Sequence, residues 1–178
     1  KQFARYWIHN GMLQLGGEKM SKSLGNIVSI KDFLQKRDAD VMRMHVLMGS
    51  YRAPLIFNDE TQDSAEKSLE RLKAALRPAS LTAKGLSADA ASALASQADS
   101  AKRAFIDAMD DDFNSPLALA ALYELVKAIN TARDNGANDE QLKPAQSTLR
   151  ELTGVFGLRL AEKTGSSDVE AQVNALIT

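Results

Sequence analysis

Cysteine is absent from the 178-residue sequence, and histidine occurs only twice. Without a thiol the chain cannot form a disulfide, a thiolate metal site or a cysteine nucleophile, which is consistent with a reducing compartment. His9 has no second metal-binding side chain at a suitable spacing, and the sequence contains no Ser/His/Asp or Glu-x-x-His arrangement. The residues therefore predict neither a nucleophile triad nor a metal centre within this chain.

Long apolar runs are also missing. No stretch approaches the roughly 18 consecutive apolar residues that a membrane span requires, and residues 1–11 lack the apolar core of a secretory signal. A composition of 44% hydrophobic and 25% charged residues is ordinary for a globular protein. We therefore expect one sizeable core or two small ones, and no membrane partner.

The net charge of −1 conceals an uneven distribution. Residues 1–54 carry 9 Lys and Arg against 4 Asp and Glu, whereas residues 55–178 carry 13 against 19. A basic N-terminal part favours the approach of a polyanion such as ATP or the acceptor end of an RNA. Chance asymmetry is the alternative explanation at this chain length.

The most informative stretch lies in this basic part. Leu13–Leu15 alternates like a strand, Gly16 and Gly17 suit a two-residue turn, and residues 18–20 can return as a second strand. The hairpin leads into a loop with the sequence KMSKS at residues 19–23, in which Lys19 and Lys22 alternate with the hydroxyls of Ser21 and Ser23. Lysine ammonium groups on flexible stems suit binding to phosphate oxygens.

Two other interpretations of this stretch are a P-loop and a basic loop without function. A P-loop requires Lys and then Ser or Thr after its second glycine, but Gly16 is followed by Gly17 and Glu18, so the motif fails. A solvated basic loop without function is the common origin of paired lysines, and the loop alone does not exclude it. The flanking sequence decides between this reading and a phosphate site.

The rest of the sequence predicts helices. Ser29 and Asp32 form a capping-box pattern, and further starts are expected at caps Asp38, Asn58, Ser87 and Ser115. The predicted inward residues are Ile30, Phe33, Leu34, Val41, Met44, His45, Met48, Ala65, Leu69, Leu72, Leu76, Leu94, Ala98, Ala101, Phe105, Met109, Leu119, Leu122, Leu125, Val126, Ile129, Leu142, Ala145, Leu149, Leu152 and Phe156. Asp63 and Lys67 are expected to pair on an exposed face. Pro144 leaves the start of the last helix uncertain.

The polar connectors in the sequence predict the boundaries between structural units. Residues 1–78 are predicted to form one unit, residues 87–160 a second, all-helical unit, and residues 161–178 a linker with the start of a truncated helix. The chain begins without Met and its last apolar stripe is short, so we expect a fragment of a longer protein.

Three local features have structural explanations. Trp7, near other aromatic residues, is expected to pack in a core, and His45 lies on an apolar helix face, where a packed histidine is expected. Asp110, Asp112 and Asn114 resemble the start of an EF-hand, but Ser115 replaces its glycine and the final Glu is absent. These carboxylates are expected to face the positive end of the helix that Ser115 caps.

Four stretches together carry a resemblance to a known family. They are ARYWIHNG at residues 4–11, EKMSKSLGN at 18–26, SYRAPL at 50–55 and FIDAMDDDFNSP at 105–116. The loop resembles the second nucleotide-binding motif of class I aminoacyl-tRNA synthetases, and the four stretches in this order resemble cysteinyl-tRNA synthetase over residues 1–160. Members of that family activate cysteine with ATP and transfer it to tRNA(Cys).

The resemblance implies a mainly α fold. It comprises a short β-hairpin and loop at the N-terminus, stem-contact helices, and a helical bundle of the class I anticodon-binding (DALR) type that contacts tRNA. The implied ATP-binding residues are Lys19, Ser21, Lys22 and Ser23, of which Lys22 and Lys19 are the catalytic candidates. It also implies magnesium with ATP, a zinc site elsewhere in the whole enzyme, a monomer and a cytoplasmic location.

Several family parts are missing from these residues. We find no first nucleotide motif, no Rossmann strand series and no zinc ligands, so we expect this chain alone to show no ATP–pyrophosphate exchange with cysteine. Two alternatives stay open. One is a cysteine-activating ligase of mycothiol synthesis on the same scaffold, and the other is a non-catalytic helical module that binds RNA or protein.

Overall fold

The computed structural model describes residues 2–15 and 29–160, and the backbone of residues 18–19. Within these residues the chain is mainly helical, as predicted. Its elements are β1 (Leu13–Leu15), β2 (Glu18–Lys19), α1 (Ile30–Lys36), α2 (Ala39–Leu47), β3 (Leu55–Phe57), α3 (Asp59–Ala75), α4 (Ala88–Asp110), α5 (Ser115–Asp134) and α6 (Asp139–Val155).

The strands form a small sheet in the order β2-β1-β3. β1 and β2 pair antiparallel, with Gln14 opposite Lys19, which confirms the predicted hairpin pairing. β3 pairs parallel to β1, with Leu13 opposite Leu55. The sequence predicts only an extended connector there, because a three-residue strand is too short to show an alternating pattern.

Most predicted helix starts are correct. Ser29, Asp38, Asn58 and Ser87 each accept a backbone N–H in the first turn of the helix that follows. These bonds satisfy donors that have no partner within the helix. The last helix begins at Asn138, a cap that the sequence pattern does not predict, and Asn138 forms a reciprocal capping box with the third helical residue.

The predicted cap of α5 is wrong. Asn114, not Ser115, is the cap, and its side-chain oxygen accepts the N–H of Leu117 at 3.2 Å. Asp112 and Phe113 both have φ of 54°, and this left-handed pair turns the chain one residue earlier than expected. Ser115 thus becomes the first residue of the helix.

The helices share a continuous core. α5 is buried on most sides and contacts α2, α3, α4 and α6, as its apolar sequence predicted. The fully buried large side chains include Leu69, Leu72, Leu122, Ile129, Leu142 and Leu149. Burying each such side chain favours folding by about 1.5–3 kcal/mol.

Some predicted inward residues lie at the surface. Ile30, Leu34 and Met48 are exposed, so only Phe33 of the short helix α1 is buried. The prediction that Trp7 packs in a core is also wrong: its side chain is 67% exposed and stacks on Phe3, which is itself exposed. No described element covers this N-terminal segment.

The expected Asp63–Lys67 pair is replaced by a tertiary one. Asp63 accepts a bond from Arg37 at 2.6 Å, and Glu66 accepts a second at 2.8 Å. Arg37 is the C-cap residue of α1, so this pairing fastens the short helix to α3. The guanidinium presents several donors in one plane and can serve two carboxylates at once.

Candidate functional site

Of the four predicted ATP-binding residues, the structure describes only the backbone of Lys19. Lys19 lies on β2 opposite Gln14 of β1. Ser21, Lys22 and Ser23 lie outside the described residues. The strand that carries Lys19 is therefore tied to β1, and β1 in turn to β3.

The segment before β1 is held closely against the segment after α2. The N–H of Gly11 donates to the carbonyl of Tyr51 at 2.7 Å, and the N–H of Leu55 donates to the carbonyl of Met12 at 3.0 Å. A Cβ atom at position 11 would lie 2.0 Å from the carbonyl oxygen of Ala53. Only glycine permits this approach of the two backbones.

Two of the motifs meet through a three-bond contact, which we call the clasp and define as Tyr51, Arg52 and Asp112. Arg52 donates from Nε to Oδ2 of Asp112 at 2.6 Å and from Nη2 to Oδ1 at 2.9 Å. The Tyr51 hydroxyl donates to Oδ1 at 2.7 Å. The planar guanidinium matches the carboxylate in two parallel bonds, which fixes orientation as well as distance.

The clasp changes the acidity of its members. The bonds from Arg52 and then from Tyr51 lower the pKa of the Asp112 carboxyl to about 2. The same contact raises the pKa of the Tyr51 hydroxyl and of the Arg52 guanidinium. The carboxyl is therefore ionised, and the clasp in place, across the neutral and mildly acidic range.

Sequence reasoning missed the role of Asp112. It assigned the acidic turn to the helix N-terminus, whereas both oxygens of Asp112 accept bonds from residues 60 or 61 positions away. The Tyr51-Arg52 pair in the connector could have suggested a distant carboxylate, although no pattern in the sequence says which one. A further weak bond joins the same turn to the end of α2, from the Ser115 hydroxyl to the Gly49 carbonyl at 3.4 Å.

A cleft of about 680 Å³ lies between α1, α3 and the sheet. Leu15, Phe33 and Phe57 contribute its apolar lining. Its charged lining comprises four carboxylates and two cations: Asp32, Asp59, Asp63, Glu66, Lys36 and Arg37. Among the described residues, the charged lining of this cleft is therefore net negative.

The predicted packed histidine is confirmed. His45 is 4% exposed, and its ring meets the ring of Phe57 edge-on with centroids 5.3 Å apart. Burial lowers the pKa of its imidazole, and backbone groups at Thr61 and Ile56 offset part of this effect. His45 is a core residue in this structure.

Comparison with known proteins places these features in a family. Residues 1–67 match the class I (C) tRNA synthetase catalytic domain, and residues 104–161 match the DALR domain. The cysteine–tRNA ligase of Desulfitobacterium hafniense is 44% identical over 176 residues, which cover 96% of this chain and 37% of that protein. The chain belongs to the cysteine–tRNA ligase family.

A second cysteine–tRNA ligase, from Dehalococcoides mccartyi, is 39% identical over 180 residues that cover 99% of this chain and 37% of that protein. The chain thus spans a little over a third of the length of these cysteine–tRNA ligases. A solved ternary complex of Agrobacterium radiobacter K84 agnB2 LeuRS with tRNA and LeuAMS aligns with a TM-score of 0.68 at 23% identity. That alignment covers 85% of this chain and 21% of the LeuRS chain, and it shows a likeness of fold.

The matched segments locate the clasp within the cysteine–tRNA ligase architecture. Tyr51 and Arg52 lie in the catalytic-domain match, and Asp112 lies in the DALR match. The clasp therefore joins two parts of the chain that separate family models describe. In the part of the chain that the structure describes, it is a direct charged contact between them.

The residues present do not fit the zinc site expected of the whole enzyme. The chain supplies no thiolate, and residues 2–15 and 29–160 contain no group of three His, Asp or Glu side chains arranged to hold a metal ion. Within the same ranges, no helix is both long and apolar enough to cross a membrane.

Proposed function

We propose that the chain is part of a cysteine–tRNA ligase, which activates cysteine with ATP and transfers it to tRNA(Cys). These residues supply the KMSKS loop and the tRNA-contacting helices of the whole protein and are inactive without the rest of it. The observation that carries this proposal is the hairpin β1–β2. It leads into the KMSKS stretch within a segment that matches a class I catalytic domain. The identity of 44% to a curated cysteine–tRNA ligase supports cysteine as the amino acid.

Lys22 and Lys19 take the catalytic role in this proposal. When a cysteine carboxylate attacks the α-phosphate of ATP, negative charge moves onto the departing pyrophosphate, and the two ammonium groups stabilise it. The hydroxyls of Ser21 and Ser23 add hydrogen-bond donors to the same oxygens. Such chemistry depends on positioning and charge, so it requires no protein nucleophile.

The remaining assignments extend the proposal to the whole protein. Residues 1–78 supply the end of the catalytic core and the stem-contact helices, and residues 87–160 supply the helices that contact tRNA. Magnesium accompanies ATP, and the cysteine-recognising zinc site belongs to a part of the enzyme outside residues 1–178. We further propose a monomer in the cytoplasm.

Replacement of Lys22 tests the proposal. In the whole protein, Lys22→Ala should slow cysteine-dependent ATP–pyrophosphate exchange by about 10²–10³-fold, because removal of one donor to a developing charge typically costs that much. Lys143→Ala is the matched control, since Lys143 is an exposed lysine of α6. Its exchange rate should equal that of the unaltered protein.

Two results would contradict the proposal. One is an unchanged exchange rate in Lys22→Ala. The other is an unaltered protein that transfers cysteine to an amino sugar and not to tRNA(Cys), which would instead support the mycothiol-pathway alternative.

A further inference from the structure

The turn between α4 and α5 holds an unusual backbone conformation. Asp112 and Phe113 are consecutive non-glycine residues with φ of 54°. Left-handed backbone is unfavourable for residues with a Cβ atom, and bulky residues such as phenylalanine are rarely found there. Strained conformations of this kind concentrate at positions where geometry serves function.

The clasp adds too little to the free energy of folding to explain why the turn keeps this strained backbone. The side chains of Arg52 and Asp112 are 60% and 53% exposed, and exposed ion pairs contribute little to the free energy of folding. What the clasp supplies is orientation, because three hydrogen bonds converge on one carboxylate. A single ion-pair contact, without the second and third hydrogen bonds, would not fix the orientation of the Asp112 carboxylate relative to Arg52.

The clasp connects to the hairpin of the lysine loop through short backbone bonds. Tyr51, whose side chain contacts Asp112, accepts the N–H of Gly11 through its carbonyl at 2.7 Å. Gly11 directly precedes the residues that pair with β3, and β1 then pairs with β2, on which Lys19 lies. The line from the α4–α5 turn to the hairpin therefore passes through contacts of about 3 Å.

We propose that Asp112 and Arg52 are positioning residues, which orient the helical bundle relative to the hairpin so that bound tRNA presents its 3′ end to the activated amino acid. This inference rests on the proposed function. Neither side chain need touch a reacting atom. Misplacement of a substrate by about 1 Å can cost two orders of magnitude in rate even when the altered residue is distant.

The test uses the whole protein with Asp112→Asn, Arg52→Gln and the double variant. Asp112→Asn should lower kcat/KM for aminoacylation of tRNA(Cys) at least tenfold, while ATP–pyrophosphate exchange, which needs no tRNA, stays within twofold. The double variant should lose no more than the worse single variant, because the two residues act through one contact.

Glu151→Gln provides the matched control. Glu151 pairs with Lys102 at 2.7 Å, with exposed fractions of 56% and 44%, but this ion pair joins α4 to α6 within the bundle. Its loss should leave aminoacylation unchanged. Amide hydrogen exchange at Gly11 offers a readout independent of activity, and it should accelerate at least tenfold in Asp112→Asn and not in Glu151→Gln.

Three outcomes would overturn the inference while the proposed function stands. Asp112→Asn could aminoacylate within threefold of Glu151→Gln, exchange and aminoacylation could fall in equal proportion, or the Gly11 amide could exchange at the same rate in both variants. If the unaltered whole protein neither exchanges nor aminoacylates, the proposed function fails and this inference fails with it.

Discussion

The buried side chain of His45 makes the stability of the fold depend on pH. Its Nε2 atom has no hydrogen-bond partner within the described residues, and burial lowers the pKa of the imidazole in the folded protein. The unfolded chain therefore binds a proton at a higher pH than the folded chain does. Stability should be complete above about pH 6.5, the ordinary pKa of histidine, and should fall as the pH drops towards the lowered value.

Urea denaturation between pH 7.5 and pH 5 tests this predicted contribution of His45 to stability. The free energy of unfolding of the chain should decline through this window, and the decline should be shallower in His45→Gln, which cannot take up the proton. The exposed His9 remains in both proteins and provides the baseline. Parallel curves for the two proteins would show that His45 does not couple protonation to folding.

Helix α5 is the element on which the other helices depend. Leu122 is fully buried on it, whereas Leu117 on the same helix is 52% exposed. Leu122→Ala should lower the free energy of unfolding by about 2–5 kcal/mol, because it removes packed methyl groups and leaves a cavity among several helices. Chemical denaturation followed by circular dichroism measures the change.

Leu117→Ala is the matched control for the same substitution. Surface substitutions away from special features usually change stability by less than about 0.5 kcal/mol. If Leu117→Ala and Leu122→Ala lowered the free energy of unfolding by similar amounts, the conclusion that α5 lies at the centre of the core would be wrong.

At the scale of the whole molecule, Asp40 connects the beginning of the helical region to its end. Its buried carboxylate accepts the N–H groups of Arg159 and Leu160 at 2.8 and 3.2 Å, and it also pairs with Arg43 at 2.9 Å. The two amides follow α6, about 120 residues further along the chain. The contact holds the C-terminal end of the DALR segment against α2.

Asp40→Ala should lower the free energy of unfolding by about 1–3 kcal/mol, the usual cost of leaving buried donors unsatisfied. Amide exchange at Arg159 and Leu160 should accelerate at the same time. Asp99→Ala, at an exposed position within α4, should do neither. Unchanged protection of the two amides in Asp40→Ala would show that another group holds this segment.

Features that depend on residues close together in the sequence were predicted more reliably than features that depend on distant residues. Caps such as Asn58 and Ser87 were predictable because a cap and the donor it satisfies lie two or three residues apart. The cap of α5 was not, because its position depends on the left-handed turn at Asp112 and Phe113. Burial of Trp7 was also predicted wrongly, since aromatic content says nothing about which element covers a segment.

The helices, the hairpin and the family resemblance could all be predicted from local sequence, because repeating apolar positions and short motifs are local properties of a chain. The carboxylate that pairs with Arg52 could not be predicted in this way, and neither could the hydrogen bonds from the side chains of Arg133 and Gln146 to the carbonyls at the end of α3. These pairings join residues about 60 or 70 positions apart. Their partners are selected by the packing of the helices, and no local pattern encodes that choice.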